Sequence, residues 1–219
     1  MEKDLLLVLE DIKKKIDKFY DGKKKEKFNT QIEEIAKEYS NIEIPERHMD
    51  TYESLIKKGK ELLKESNMKD EKKISYYLRY CAAAEFDFKG NVQPLNLIMK
   101  AFLLTCVLFM VLAPQYFGPI LPLIFVVPIF MALRGMKKRV LNGLMIGVSV
   151  VPMGILVSTV WIKNAFSFNT IVNNMAAQYP FSVQMTQNLA IAFILMSAVL
   201  LGSSITLLYS AIKYRKMFI

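Results

Sequence analysis

Side chains able to do acid–base or metal chemistry are scarce and unevenly placed in this chain. It has a single histidine, His48, and two cysteines, Cys81 and Cys106. His48 follows Pro45 in a linker with no second ligand type clustered around it, and the cysteine spacing matches no metal-ligand pattern. One cysteine falls in a charged region and the other in an apolar run, so no disulfide between them is expected. All 20 acidic residues lie at or before Asp87. From Phe88 to Ile219 there is neither a carboxylate nor an imidazole, so no proton relay, carboxylate metal site or aspartyl dyad can be assembled there. No glycine-rich phosphate loop is present either. The expectation is a protein that is not an enzyme and holds no metal or cofactor.

The second half carries neutral polar groups and small residues instead. Near the C-terminus, Asn188, Ser203, Thr206 and Ser210, with Gly202, fall within about a 100° arc of a helix, and Tyr209 lies at its edge. Such a stripe serves either to hydrogen-bond neighbouring helices or to line a water-filled path. Upstream, Gly143, Gly147, Gly154 and Ser158 share one helical face. A smooth face of this kind lets helices approach closely in lipid, within one subunit or between subunits. Cations form a third group: Arg134, Lys137, Lys138 and Arg139 in "RGMKKR", and Lys213, Arg215 and Lys216 in the "KYRK" tail. Together they read as a basic collar suited to anionic lipid or to attracting anions.

The elements that carry these groups follow from hydropathy. The net charge of +9 comes from the apolar half, because the region through Asp87 is close to neutral. That distribution favours a membrane surface over nucleic acid as partner. A helix crossing a bilayer core needs about 20 apolar residues. Four segments are read as spans, at about 95–113, 117–133, 140–162 and 189–212. Residues 1–20 are not a signal peptide, since "LLLVL" is too short and charges follow at once. Pro119, Pro122 and Pro128 in the second span and Pro152 in the third predict kinks. Lysine and arginine in short loops favour the cytoplasmic side, which places both termini and "RGMKKR" there. The opposite connections, "PQYFG" and the outer segment 163–188, hold only Lys163 as a charge. Within that segment Phe168, Ile171 and Met175 predict a short interfacial helix ended by Pro180, with Trp161 and Tyr179 as interfacial anchors.

Residues 1–90 read as an α-helical cytoplasmic bundle. Its stripes are Leu5, Leu9, Ile12, Ile16 and Phe19; Phe28, Ile32, Ile35 and Tyr39; Tyr52, Leu55, Ile56 and Leu62 or Leu63; and Ile74, Tyr77, Leu78 and Cys81. Asp50 with Glu53 resembles a capping box, and Asn67 is placed as the cap of the last helix. Tyr76, Tyr77, Tyr80, Phe86 and Phe88 are expected near lipid headgroups, with "KGNVQP" as the domain boundary. The fold class is therefore all-α: a polytopic membrane protein with four transmembrane helices (91–219) and an N-terminal cytoplasmic bundle. Two functions fit. One is an oligomeric channel or transport component, a homo-oligomer whose fourth-span stripe faces the path. The other is a membrane-anchored adaptor that recruits a cytoplasmic protein through its N-terminal helices.

Overall fold

A computed structural model of the 219-residue chain describes residues 2–118, 120–178 and 182–219. The described residues form twelve α-helices and two 3-10 turns, with no strand among them. The chain divides into two compact units, one comprising residues 1–93 with 216–219, the other residues 94–215. The last four residues thus belong with the N-terminal helices, which a boundary at 90/91 alone does not anticipate.

The first unit contains α1 (Glu2–Phe19), α2 (Gly22–Tyr39), α3 (Met49–Leu62), the short α4 (Glu65–Met68) and α5 (Glu71–Phe88). Its amphipathic stripes bury one another. Leu5, Leu9, Ile12 and Ile16 of α1 are fully covered, as are Leu55 and Ile74, while Phe28, Ile32, Ile35 and Tyr39 complete the core. Burial of about 2 kcal/mol per large aliphatic side chain drives this assembly. The exposed ion pairs around it, such as Lys13 with Glu33 and Lys89 with Glu38 and Glu85, contribute far less.

Local details depart from the sequence reading. The N-cap of α5 is Asp70, whose side chain accepts a hydrogen bond from Lys72 N, whereas Asn67 donates to the Glu61 carbonyl behind it. Helix α3 starts one residue before Asp50, behind a 3-10 turn at Glu46–His48, so Asp50 sits in its first turn and no side chain caps it. Tyr77 and Phe88 do not reach outward. Tyr77 is buried under Gly59, and Phe88 meets the rings of Tyr39, His48 and Tyr52. Only Tyr76 among these aromatics is strongly exposed, stacked on Tyr80. Gly90, at φ +64°, ends α5: its N–H donates to the Asp87 carbonyl and that of Asn91 to the Phe86 carbonyl.

The second unit comprises α6 (Gln93–Leu112), α7 (Pro114–Phe117), α8 (Ile120–Lys137), α9 (Leu141–Val148), α10 (Val151–Ala165), α11 (Phe168–Gln178) and α12 (Val183–Lys213). Among the described residues, three helices are long and apolar enough to cross a membrane, not four: Gln93–Leu112, Leu141–Ala165 and Val183–Lys213. The segment expected as the second span forms α8, but its apolar run from Ile120 ends at Leu133, before Arg134. At 1.5 Å per residue that run covers about 21 Å, short of the roughly 30 Å hydrocarbon core. The third span is interrupted between Val148 and Val151, just before Pro152, which cannot donate to the preceding turn. Pro128 lies inside α8. Pro119, Tyr179 and Pro180 lie outside the described residues. A broad apolar surface remains open on this unit, including Ile120, Val127, Phe130, Leu195 and Ile212. Exposed apolar area on this scale is the surface a lipid-embedded protein presents.

Candidate functional site

Helix α12 organises the unit, packing along α10 and touching α9 and α11. Its buried side is polar and small as well as apolar: Thr186, Ala190, Ser197, Leu200, Ser203, Ser204, Leu207, Ser210 and Ala211. The expected polar stripe straddles the edge of this side. Ser203 and Ser210 are buried, while Asn188, Gly202 and Thr206 are exposed and Tyr209 is 61 % exposed. Thr105 on α6 donates to Ser203 Oγ at 3.0 Å, and Ser203 donates in turn to the Leu200 carbonyl. Ser203 is thus an interhelical bond, of the order of 1 kcal/mol in such settings. Thr206 donates at 2.8 Å to the carbonyl of Gly202, one turn back on its own helix. That bond lets the hydroxyl face lipid or water at little cost.

The small residues sit at close helix approaches. A Cβ on Gly143 would lie 2.4 Å from Gly135 Cα, so α8 and α9 meet backbone to backbone. One on Gly147 would meet the flexible tip of Met136, and one on Gly154 would meet Ser204 Oγ on α12 at 2.6 Å. Ser204 Oγ is buried and has no hydrogen-bond partner among the described residues. Ser158 is fully buried and donates to the Ile155 carbonyl. Gly143, Gly147, Gly154 and Ser158 therefore all lie inside the subunit. A Cβ on Gly202, by contrast, would meet nothing within 4 Å.

The cations divide into separate groups. The "RGMKKR" segment forms the tight α8–α9 turn, in which Arg139 takes the left-handed conformation at φ 55°. Its N–H donates to the Met136 carbonyl and that of Val140 to the Gly135 carbonyl, a pattern glycine usually completes. Arg134, Lys137 and Lys138 are exposed. At the end of α12, Lys213 lies over the rings of Tyr209 and Tyr214, and Arg215 is exposed. Lys216 belongs to the first unit, where it pairs with Glu34 at 2.5 Å, so the seven cations do not form a single cluster within one unit.

Trp161 corrects another expectation. It is 2 % exposed and donates its indole N–H to the Leu112 carbonyl at 3.3 Å, between the rings of Tyr116 and Phe193. It is a core residue, not an interfacial anchor. The short helix expected in the outer segment exists as α11, but Ile171 and Val172 are buried against the Trp161 cluster, joined by Phe168 and Met175. The periodicity was visible in sequence; its protein partner was not. The residues missed altogether are Thr105, Ser197 and Ser204. Thr105 and Ser197 are lone hydroxyls in apolar runs, and Ser204 sits beside the Ser203 stripe but outside its arc; none of the three gives a signal of which neighbour it meets. Comparison with protein-family models, curated proteins and solved structures finds no match to this chain.

Proposed function

We propose that the chain is a subunit of an oligomeric membrane channel or transport component. The observation that carries this reading is the open side of α12. Its most apolar window is only 28 % buried within the subunit, and its exposed side presents Ala198, Gly202 and Thr206 one turn apart, with Asn188 nearer the helix start. In a ring of copies with this side toward a central axis, Asn188 and Thr206 line the path and the small residues keep it open. Ser203, committed to Thr105, is not part of that lining. The test is reconstitution. Wild-type protein runs as an oligomer in nanodiscs and conducts in planar bilayers under symmetric KCl. Thr206→Leu keeps the oligomer and loses most of the conductance. A strict monomer, or full conductance in Thr206→Leu, overturns the reading.

An even number of crossings, with both termini on one side, is supported by parity, and the lysines and arginines of the short loops assign that side to the cytoplasm. The C-terminal residues belong to the same unit as the N-terminal helices, through the Lys216–Glu34 pair and the buried Met217 and Phe218. A chain that leaves and re-enters one unit on one side of a bilayer crosses it an even number of times. Helix α8 then makes the remaining crossing, with Arg134 and Lys137 reaching to the interface. The exposed cations of "RGMKKR", with Lys213 and Arg215, lie beside anionic headgroups in this topology. Single cysteines introduced by Asp4→Cys and Ile219→Cys label from the same side of sealed vesicles; labelling from opposite sides overturns the parity argument.

The alternative, an adaptor, has one observation in its favour. A cleft of about 410 Å³ in the first unit has Ile35, Leu78, Ala82 and Phe86 in its wall and Glu34, Glu38 and Glu85 around it. Ile32 is buried in the bundle core and Ile35 reaches only the wall of this cleft, so a partner would meet that stripe through the cleft alone. An adaptor predicts no conductance in the same bilayer assay.

A further inference from the structure

A second cavity lies in the other unit, where the end of α10 meets α7 and α11, and nothing in the channel reading uses it. It measures about 300 Å³ and is lined by uncharged polar groups: the carboxamides of Gln115, Asn164 and Asn174, and the hydroxyls of Ser167, Thr170 and Tyr116. Trp161, Ile171 and Met175 supply its apolar wall. Asn164 Nδ2 donates to Tyr116 Oη at 2.6 Å, which fixes both side chains and leaves the amide oxygen and the phenolic proton for a ligand. The Tyr116 ring stands edge-on to Trp161 at 5.0 Å and is 40 % exposed, so an aromatic face borders the same space.

This lining discriminates between ligand classes. Phosphates and carboxylates are held by cations, and ammonium groups by carboxylates or by several aromatic faces together. No charged side chain is among the described residues here, and Tyr116 and Trp161 stand edge-on to each other, two rings and not a cage. A wholly apolar ligand would cover carboxamides and hydroxyls without giving them partners. Carboxamides offer a donor and an acceptor side by side, which matches paired hydroxyl groups, and an aromatic face takes the C–H side of a ring. The volume is at the small end of the roughly 300–1,000 Å³ range of ligand pockets, enough for one ring. We infer that this cavity binds a neutral, polyhydroxylated ring of monosaccharide size, either free or as the headgroup of a glycolipid. The inference goes beyond the channel reading and does not depend on oligomeric state.

Trp161 is the only tryptophan in the chain, so its emission reports directly on the cavity. The full chain is placed in phosphatidylcholine–phosphatidylglycerol nanodiscs, prepared without glycoside detergents, which would occupy the site. One arm titrates methyl glucoside, methyl galactoside and myo-inositol; the other includes monoglucosyl diacylglycerol in the disc. A saturable emission change is expected, in the first arm for a free sugar and in the second alone for a headgroup. Sodium phosphate and choline chloride leave the emission unchanged. Asn174→Leu, at an exposed position, and Asn164→Leu each weaken the response at least tenfold with the melting temperature unchanged. Silence in both arms overturns the inference. So does an equal response to phosphate or choline, or undiminished binding in Asn174→Leu.

Discussion

Gly143→Ala lowers the stability of the folded protein by about 3 kcal/mol, against the helix propensity that ordinarily favours alanine over glycine by up to about 1 kcal/mol. The added methyl would lie 2.4 Å from Gly135 Cα and 2.5 Å from its carbonyl carbon. Both are backbone atoms, so no rotamer change relieves the clash, and α8 and α9 must separate along their contact. Gly135→Ala meets Gly143 Cα at 2.5 Å and behaves alike. Two other glycines calibrate the effect. At Gly147 the obstacle is the Met136 Cε tip, which a flexible side chain can withdraw, so the loss is about 1 kcal/mol. At Gly202 there is open space, and alanine is neutral or stabilising by up to about 1 kcal/mol. Unfolding in mixed micelles with increasing SDS measures all four. Equal tolerance of Gly143→Ala and Gly202→Ala would mean that the two helices do not cross at these glycines.

That series marks where sequence was informative and where it was not. In the first unit, apolar residues stand out against lysine and glutamate, so the burial of Leu9, Ile12, Ile35 and Leu78 could be read directly from helical spacing. What could not be read is complementarity, such as Gly59 leaving room for the Tyr77 hydroxyl. In the second unit the contrast disappears, because lipid-facing and protein-facing positions are both apolar. Gly143 stood out as a small residue, yet its partner Gly135 lies inside "RGMKKR", where the charges drew the reading to topology. The stripe from Asn188 to Ser210 was a correct arc of a helix, but nothing in its residues indicates that Ser203 turns inward and Thr206 outward. Trp161 followed a sound interfacial rule and was captured by a stronger local demand: the Leu112 carbonyl, at a helix end, needs a donor. The second segment reads as a span from Phe117, whereas its described helix begins at Ile120, because a sequence window counts apolar residues without showing where a helix starts.

The second large effect is a loss of stability in alkali, centred on three protons locked in the first unit. Tyr39 is 6 % exposed and donates to the Cys81 carbonyl at 2.8 Å; Tyr77 is 3 % exposed and donates to the Leu55 carbonyl at 3.3 Å. Cys81 is fully buried between them. Burial pushes the Cys81 thiol from an ordinary 9.0 up to about 12, opposed in part by the nearby Tyr77 hydroxyl. Burial likewise drives both phenols far above their ordinary 10.0. In each case the folded state keeps a proton that the unfolded chain releases. Stability is therefore unaffected below pH 9, falls as pH rises past the thiol's unfolded value, and falls more steeply above pH 10 as the two phenols join. Each group contributes about 1.4 kcal/mol per pH unit within its window, which sums to about 5 kcal/mol by pH 11. The exposed lysine pairs weaken over the same range, but such pairs contribute less than about 1 kcal/mol each. Thermal melts of the full chain in nanodiscs at pH 8 and pH 11 read the loss, and the part of the tyrosinate absorbance near 295 nm that disappears in the Tyr39→Phe/Tyr77→Phe variant rises with unfolding, not before it. Tyr39→Phe, Tyr77→Phe and Cys81→Ala each lower stability at pH 8 but flatten its decline toward pH 11. If the triple variant declined as steeply as the wild type, the alkaline transition would have to originate outside this buried trio.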